Sequence, residues 1–413
     1  MFVGEEWWRV LPPGLSGDVK RLLLARGIRA FVDGMVAILL PIHLHERGFS
    51  PLAIGGLLTA TLVGSALCTL GVGWLSHLGS RRGCMAGACV LMAATGVGFA
   101  VVGEYWVLLA VAFVGTLNPS SGDVSLFLPL EHTALAQAVP ARRRTAVFAR
   151  YSLVGTLSGA VGILAAPWPH WLGGHFDVGP QGVMAAVFVF YGACGLAAWV
   201  VYRPLSPAVE TPAAVERVVG LGPSRRIVYG LSALFALDSF GSGFFVQSLL
   251  ALWLYDTFDL SLMTTSAILF WAGVCSAISY LAAVPLAARI GLINTMVFTH
   301  LPSSLMVMAL PFAPNLGVAI GLLLARAALS NMDVPTRNSY VMAVVTPAER
   351  PAAASMTATA KSLATAVGPL IAGWLMTVSV FAWPLLIGGG LKAVYDLLLL
   401  WRFQRVKPPE EGG

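Results

Sequence analysis

Eleven ionisable side chains fall inside stretches that otherwise hold almost nothing but apolar residues: Asp33, Asp123, Glu131, Arg150, Asp238, Arg326, Asp333, Arg337, Lys361, Lys392 and Asp396. A charge at hydrocarbon depth costs about 2.5–3.5 kcal/mol on insertion scales, so each must face protein or water. Burial disfavours the charged form of a carboxylate, so such a group can load and release a proton. It can also hold a cation, and a buried base can hold an anion. Asp333 with Arg337 and Lys392 with Asp396 are spaced to meet on one helix face as structural pairs. Asp33, Asp123 and Asp238 have no such base, and contact with substrate or proton is the reading for them. Asp123 and Glu131, eight residues apart, lie ~80° and ~12 Å from each other on a helix. Asp123 is thus a candidate proton or cation site, with Glu131 as its relay partner or as the counter-ion of a gate. Arg150 and Lys361 complete the candidate set, with structural ion pairing as the competing reading.

The elements that must carry these residues follow from composition. Hydrophobic residues make up 57% of the 413, charged ones only 11%, and the mean hydropathy is +0.81. Crossing ~30 Å of hydrocarbon takes about 20 helical residues. Twelve runs qualify: 22–44, 52–76, 83–103, 106–138, 145–166, 181–202, 228–255, 262–288, 292–312, 315–345, 352–378 and 380–402. They must be helices, because hydrocarbon offers backbone polar groups no partner. An all-α integral membrane protein is expected, with the lipid bilayer as its surroundings.

The net charge of +6 sits in alternate loops, at Lys20/Arg21, Arg81/Arg82, Arg142 to Arg144, Arg203 to Arg226, Arg289, Arg350 and Arg402 to Lys407. That positive-inside pattern puts both termini in the cytoplasm, so the basic balance reports topology and no nucleic acid partner is expected. Compact loops and the lack of an evident signal peptide suggest a bacterial inner membrane. The five cysteines lack metal-ligand spacing and read as small apolar packers. His43, His45, His170 and His175 fall at outer ends or in an outer loop, while His132 and His300 read as hydrogen-bonded contacts within spans. No metal and no cofactor is expected.

The chain repeats itself. RAFVDGM at Asp33 returns as FALDSFGSG at Asp238, and SSGDVS at Asp123 as SNMDVP at Asp333. AVPARR at Pro140 returns as VTPAER at Pro347, and Gly79 of SHLGSRR as Gly291 of AARIGLI. The offsets are 205, 210, 207 and 212 residues. The pattern is a six-helix unit duplicated in parallel. The expected division is a cytoplasmic segment 1–21, a first bundle 22–202, a linker 203–227, a second bundle 228–402 and a tail 403–413.

Twelve spans, the 6+6 repeat and basic turns after spans 2 and 8 resemble the major facilitator superfamily over nearly the whole chain. The loop 73-GWLSHLGSRR-82 matches the superfamily's signature at Gly79, Arg81 and Arg82. Its second copy, 285-PLAARIGLI-293, keeps Arg289 and Gly291. Ser76 or His77, and Ala288, stand where the family has an acid. A second family motif, an Arg in span 4 with a small residue four later, occurs here only in span 10, as 326-RAALS-330. The resemblance implies that spans 1, 4, 7 and 10 line a central cavity. Asp33, Asp123, Asp238 and Asp333 fall one in each.

The function implied is secondary transport of a small solute by alternating access. No phosphate-binding Gly-Lys-Ser/Thr loop is present, so coupling to protons is the expectation. Four cavity carboxylates favour a cationic or amphipathic solute. Glycine spacing in 155-GTLSGAVG-162 and 368-GPLIAG-373 resembles the superfamily's antiporter motif and leans towards export. Uptake or exchange of an organic anion or a metal ion, and a non-transporting sensor with a carrier fold, remain as alternatives. No Ser/His, Cys/His or HExxH set shares a face, so an enzyme is not expected. Glycines in 239-SFGSGFF-245 and the Pro119 and Gly122 pair suggest broken helices beside Asp238 and Asp123.

Overall fold

The computed structural model describes residues 16–75, 80–118, 125–139, 141–210, 221–346 and 349–404. Asp123, Gly79 and the Pro140 and Pro347 landmarks lie outside them. The described residues form sixteen α-helices and no strand. The first unit holds α1 (Gly17–Glu46), α2 (Pro51–Leu75), α3 (Arg81–Val101), α4 (Tyr105–Val114), α5 (Phe127–Ala138), α6 (Ala141–Ala165), α7 (Trp168–His175) and α8 (Pro180–Tyr202). The second holds α9 (Arg225–Gly243), α10 (Gln247–Thr257), α11 (Leu262–Ile290), α12 (Leu292–Ala309), α13 (Leu316–Ser330), α14 (Asp333–Val344), α15 (Arg350–Val378) and α16 (Trp383–Phe403).

Ten stretches among the described residues are long and apolar enough to cross a bilayer. The 30-residue α1 joins them by length, although Asp18, Lys20, Arg21, Arg26, Arg29 and Asp33 lower its hydropathy. The short apolar α4 and the following α5 supply the remaining pass. Side-chain caps begin several helices: Ser80 accepts from Gly83 N at 2.9 Å, Ser261 from Thr264 N at 3.1 Å and Asn315 from Val318 N at 3.0 Å. Each satisfies a donor that a helix start leaves unpaired.

The two units pack alike. In the first, α1 lies on α6, α3 on α8 and α2 on α4. In the second, α9 lies on α15, α12 on α16 and α11 on α13. These are the same three pairings, one repeat apart.

Two spans are visibly interrupted among the described residues. Span 7 breaks between α9 and α10 just after Gly243, and span 10 between α13 and α14 at Asn331 and Met332. Pro335 sits in the first turn of α14 and Pro129 in the first turn of α5. A proline there offers no N–H to the preceding turn, so each half-helix starts afresh.

The linker side is defined by contacts that gather chain starts and loops. Asp18 of α1 accepts from Ser206 N at 3.1 Å, and Arg21 donates to the Pro204 carbonyl at 2.9 Å. On the other end of the linker, Glu349 accepts from Gly222 N and from Thr346 Oγ1 at 2.6 Å. These hydrogen bonds, with that of Ser224, hold the Glu349 carboxyl down at about 2.

The units meet on the far side. Ser248 Oγ of α10 donates to the Ala37 carbonyl of α1 at 2.8 Å, and Tyr255 donates to Glu46 at 3.1 Å. His45 Nε2 lies 3.3 Å from Asp256. Leu52 N reaches Thr377 Oγ1 at 3.1 Å and Leu370 N reaches Thr59 Oγ1 at 3.0 Å, joining α2 to α15. The far end of the interface is closed.

Candidate functional site

Each unit holds a buried charge cluster in its linker-side half. In the first, Glu131 of α5 is fully buried and carries three partners: Arg29 of α1, Tyr151 of α6 and Tyr202 of α8, the last at 2.6 Å. The Arg29 guanidinium also stacks 3.9 Å from the Phe127 ring centre. One carboxylate thus ties four helices, and its charge is matched. Tyr151 and Tyr202 were not among the sequence candidates. Nothing but the fold brings α6 and α8 to α5 here.

In the second unit the hub is Asp238 of α9. Lys392 Nζ of α16 donates to Asp238 Oδ1 at 2.7 Å and to Ser242 Oγ at 2.6 Å. Arg337 Nη2 lies 3.1 Å from Asp238 Oδ2 and also pairs with Asp333 on its own helix. His300 Nε2 lies 3.4 Å from Asp238, while its Nδ1 sits 2.9 Å from both oxygens of Asp396. Every group here is buried. Asp333 opens α14, where the positive end of the helix dipole favours a carboxylate. The spacing of Asp333 and Arg337 predicts their pairing, and they do pair. That of Lys392 and Asp396 allows one too, yet each turns to another helix.

Ligand atoms of Asp238, His300 and Asp333 lie within 4.8 Å of one another. Lys392 and Arg337 already hold those carboxylates, and a metal ion would have to displace both bases. The cluster does not fit a metal.

Asp33 of α1 makes no ion pair among the described residues, although Arg29, Arg26 and Tyr191 are its neighbours. Its Oδ1 is buried without a hydrogen-bond partner, alone in that respect among the described carboxylates. Tyr191, beside it, donates to the Thr116 carbonyl at 2.9 Å, with its hydroxyl also near the Asp33 carboxyl. Arg29, four residues earlier, is spent on Glu131. Asp33 and Asp238 are the same landmark of the repeat, one with an unpartnered Oδ1 and no ion pair among the described residues, the other held by two bases. Arg150 is buried in α6, and Lys361 is half-buried in α15.

Among the loop residues, Arg81 donates to Gln137 Oε1 at 2.5 Å and to the Val209 carbonyl at 3.0 Å, and Arg82 to the Arg203 carbonyl at 2.9 Å. They bind the end of α5 and the start of the linker. Arg289 is exposed in the last turn of α11. Gly291 follows with φ +85°, a left-handed conformation that favours glycine, and it turns the chain into α12.

Glycines of the antiporter-like stretches have a packing role. A Cβ on Gly162 would overlap the Phe31 carbonyl, and one on Gly368 would overlap Gly243. Both positions let backbones touch, α6 against α1 and α15 against α9.

Two matched helical bundles, with broken spans and a buried ion-pair cluster within each, are the architecture of a transporter and not of an enzyme. The chain belongs to the Major Facilitator Superfamily, whose profile matches residues 22–329 and again 231–413. It is a secondary transporter of that superfamily, built from two halves in the membrane. A curated relative, the uncharacterized membrane protein YJR124C of Saccharomyces cerevisiae, is 23% identical over 94% of both chains. Among solved structures, the nucleoside transporter NupG superposes with TM-score 0.69 at 15% identity, covering 94% of this chain and 99% of its own. A bacterial homologue of the human lysosomal transporter Spinster, inward-facing and occupied, gives 0.68 at 14% identity, covering 92% and 94%. The human organic anion transporter MFSD10 gives 0.64 at 18% identity, covering 94% and 100%. At these identities the likeness is one of fold.

Proposed function

We propose that this transporter couples solute movement to protons through Asp33. One observation carries the reading: a carboxyl oxygen buried in the first span with no hydrogen-bond partner. The ion pairs of Glu131, Asp238 and Asp333 are satisfied by their own bases. A proton on Asp33 would supply the neutrality that the other sites obtain from Arg and Lys. Intramembrane ionisable residues of this kind mark proton relays.

By the positive-inside rule, the basic residues of the linker side support reading that side as cytoplasmic. The closed far side then faces outward, and the site would load from within. A cationic solute loses its main support, because Asp238 and Asp333 are already neutralised within the protein. Glycine spacing likewise ceases to argue for export, since Gly162 and Gly368 serve helix packing.

The test begins with thermal stabilisation of purified protein by a panel of organic anions, amphipathic cations, nucleosides and sugars. The best ligand is then followed in proteoliposomes, as accumulation driven by a pH gradient and as exchange with none. Asp33→Asn is expected to keep exchange and lose gradient-driven accumulation. Accumulation that survives in Asp33→Asn sinks the assignment.

A further inference from the structure

Two cations stack on Phe245, at the break of span 7. Lys392 Nζ lies 5.9 Å from the ring centre and the Arg326 guanidinium 5.1 Å. Lys392 is answered by Asp238 and Ser242. Arg326 has no such answer: among the described residues it makes no ion pair or hydrogen bond to another side chain and no carboxylate lies against it, and its Nε is buried without a partner. Arg26 also has an unpartnered Nε, but it stacks on Tyr151 of the Glu131 cluster and shares its surroundings with Asp33.

An unpaired guanidinium at this depth is costly, and its backbone is firmly placed. Ser303 Oγ donates to the Arg326 carbonyl at 3.4 Å and Ser276 Oγ to Ala327 at 3.5 Å, fixing α13 against α12 and α11. The same break carries a second feature with the same preference. Helix α10 starts at Gln247, directly after Phe245 and Val246, and no side chain caps it. Its first-turn N–H groups and positive dipole end favour an anion, as at the half-helix sites of carriers.

We infer that Arg326 and the uncapped start of α10 form the subsite for the charged group of a small organic anion, with its apolar body against Phe245. This rests on the transport reading above and names its solute class. A carboxylate would take the guanidinium fork in two parallel hydrogen bonds.

The experiment measures binding of benzoate, its neutral counterpart benzamide and the cation benzylammonium to the full-length protein. Nanodiscs of phosphatidylcholine alone keep anionic lipid away from the site. Arg326→Gln, Arg326→Lys and Phe245→Leu are compared with the wild type. Benzoate is expected to bind about tenfold or more tightly than benzamide, as one charge-assisted interaction is worth at least that. Arg326→Gln should erase the preference, Arg326→Lys should retain part of it, and Phe245→Leu should weaken both ligands alike. Equal binding of benzoate and benzamide, preference for the cation, no benzoate binding, or an unchanged preference in Arg326→Gln each overturns the assignment. Proton coupling is read separately with Asp33→Asn. Coupling that survives in Asp33→Asn, with benzoate selectivity intact, would fault only the Asp33 reading.

Discussion

Lys392 Nζ lies 2.7 Å from Asp238 Oδ1, across from α16 to α9, and not against Asp396 four residues along its own helix. The orientation of the pair explains the choice. Helical side chains lean towards the N-terminus, so an acid four residues before a base is well placed and the reverse order is not. Asp333 precedes Arg337 and the two pair; Asp396 follows Lys392 and takes His300 instead.

Removing Lys392 should therefore damage α9, not α16. Lys392→Met is expected to destabilise by about 3–5 kcal/mol, the cost of stranding a buried charge. Combining it with Asp238→Asn should recover part of that loss. Thermal unfolding of both single variants and the double variant measures the coupling. Additive losses would mean that the contact carries none.

The Glu131 hub yields a graded series. Tyr202→Phe removes one hydrogen bond to a charged group and should cost about 1.5–3 kcal/mol. Glu131→Gln leaves the Arg29 charge unmatched and should cost more than Tyr202→Phe. Measured unfolding in the reverse order would contradict the assignment of Glu131 as the counter-charge of Arg29.

Arg326→Met should act in the opposite direction. An unpartnered guanidinium held for a ligand reduces stability of the empty protein, so its removal is expected to gain roughly 0.5–2 kcal/mol, as functional-site replacements often do. A higher melting temperature without ligand, together with lost benzoate binding, is the predicted pair of results.

Glu349 gives a pH dependence outside the spans. Hydrogen bonds from Ser224, Thr346 and the Gly222 N–H hold its carboxyl at about 2, below the ordinary 4.5. The folded state thus favours the ionised form. Its contribution is complete above pH 4.5 and is lost as the pH falls through about 2. Glu349→Gln should melt earlier than wild type at neutral pH and show a shallower acid dependence between those limits. Parallel curves across that range would disprove the linkage.

The closed far side can be locked. A Leu52→Cys/Thr377→Cys pair, in a background with the five native cysteines replaced by serine, should be bridged by a short bis-methanethiosulfonate reagent, because Leu52 N and Thr377 Oγ1 are 3.1 Å apart. The cross-link should abolish solute exchange, and reduction should restore it. Full exchange by the cross-linked protein would mean that the far side need not open.

The sequence by itself determined the twelve spans, the two matched units and the presence of charges within the spans. These depend on local quantities: run length against bilayer thickness, hydropathy, and landmarks recurring at one offset. The Asp333 and Arg337 pair was legible for the same reason, as spacing and direction within one helix decide it. Pro335 and Pro129 mark two helix restarts that the glycine pattern alone does not locate. Which charges are satisfied was decided only in the tertiary structure. Glu131 meets tyrosines 20 and 71 residues away, and Asp238 meets a lysine 154 residues away. Asp33 and Arg326 meet no hydrogen-bond partner at the buried Oδ1 and Nε. A sequence shows that a charge is buried; only the packing of several helices shows whether its partner arrives, and the sites left without one are those assigned here to proton and solute.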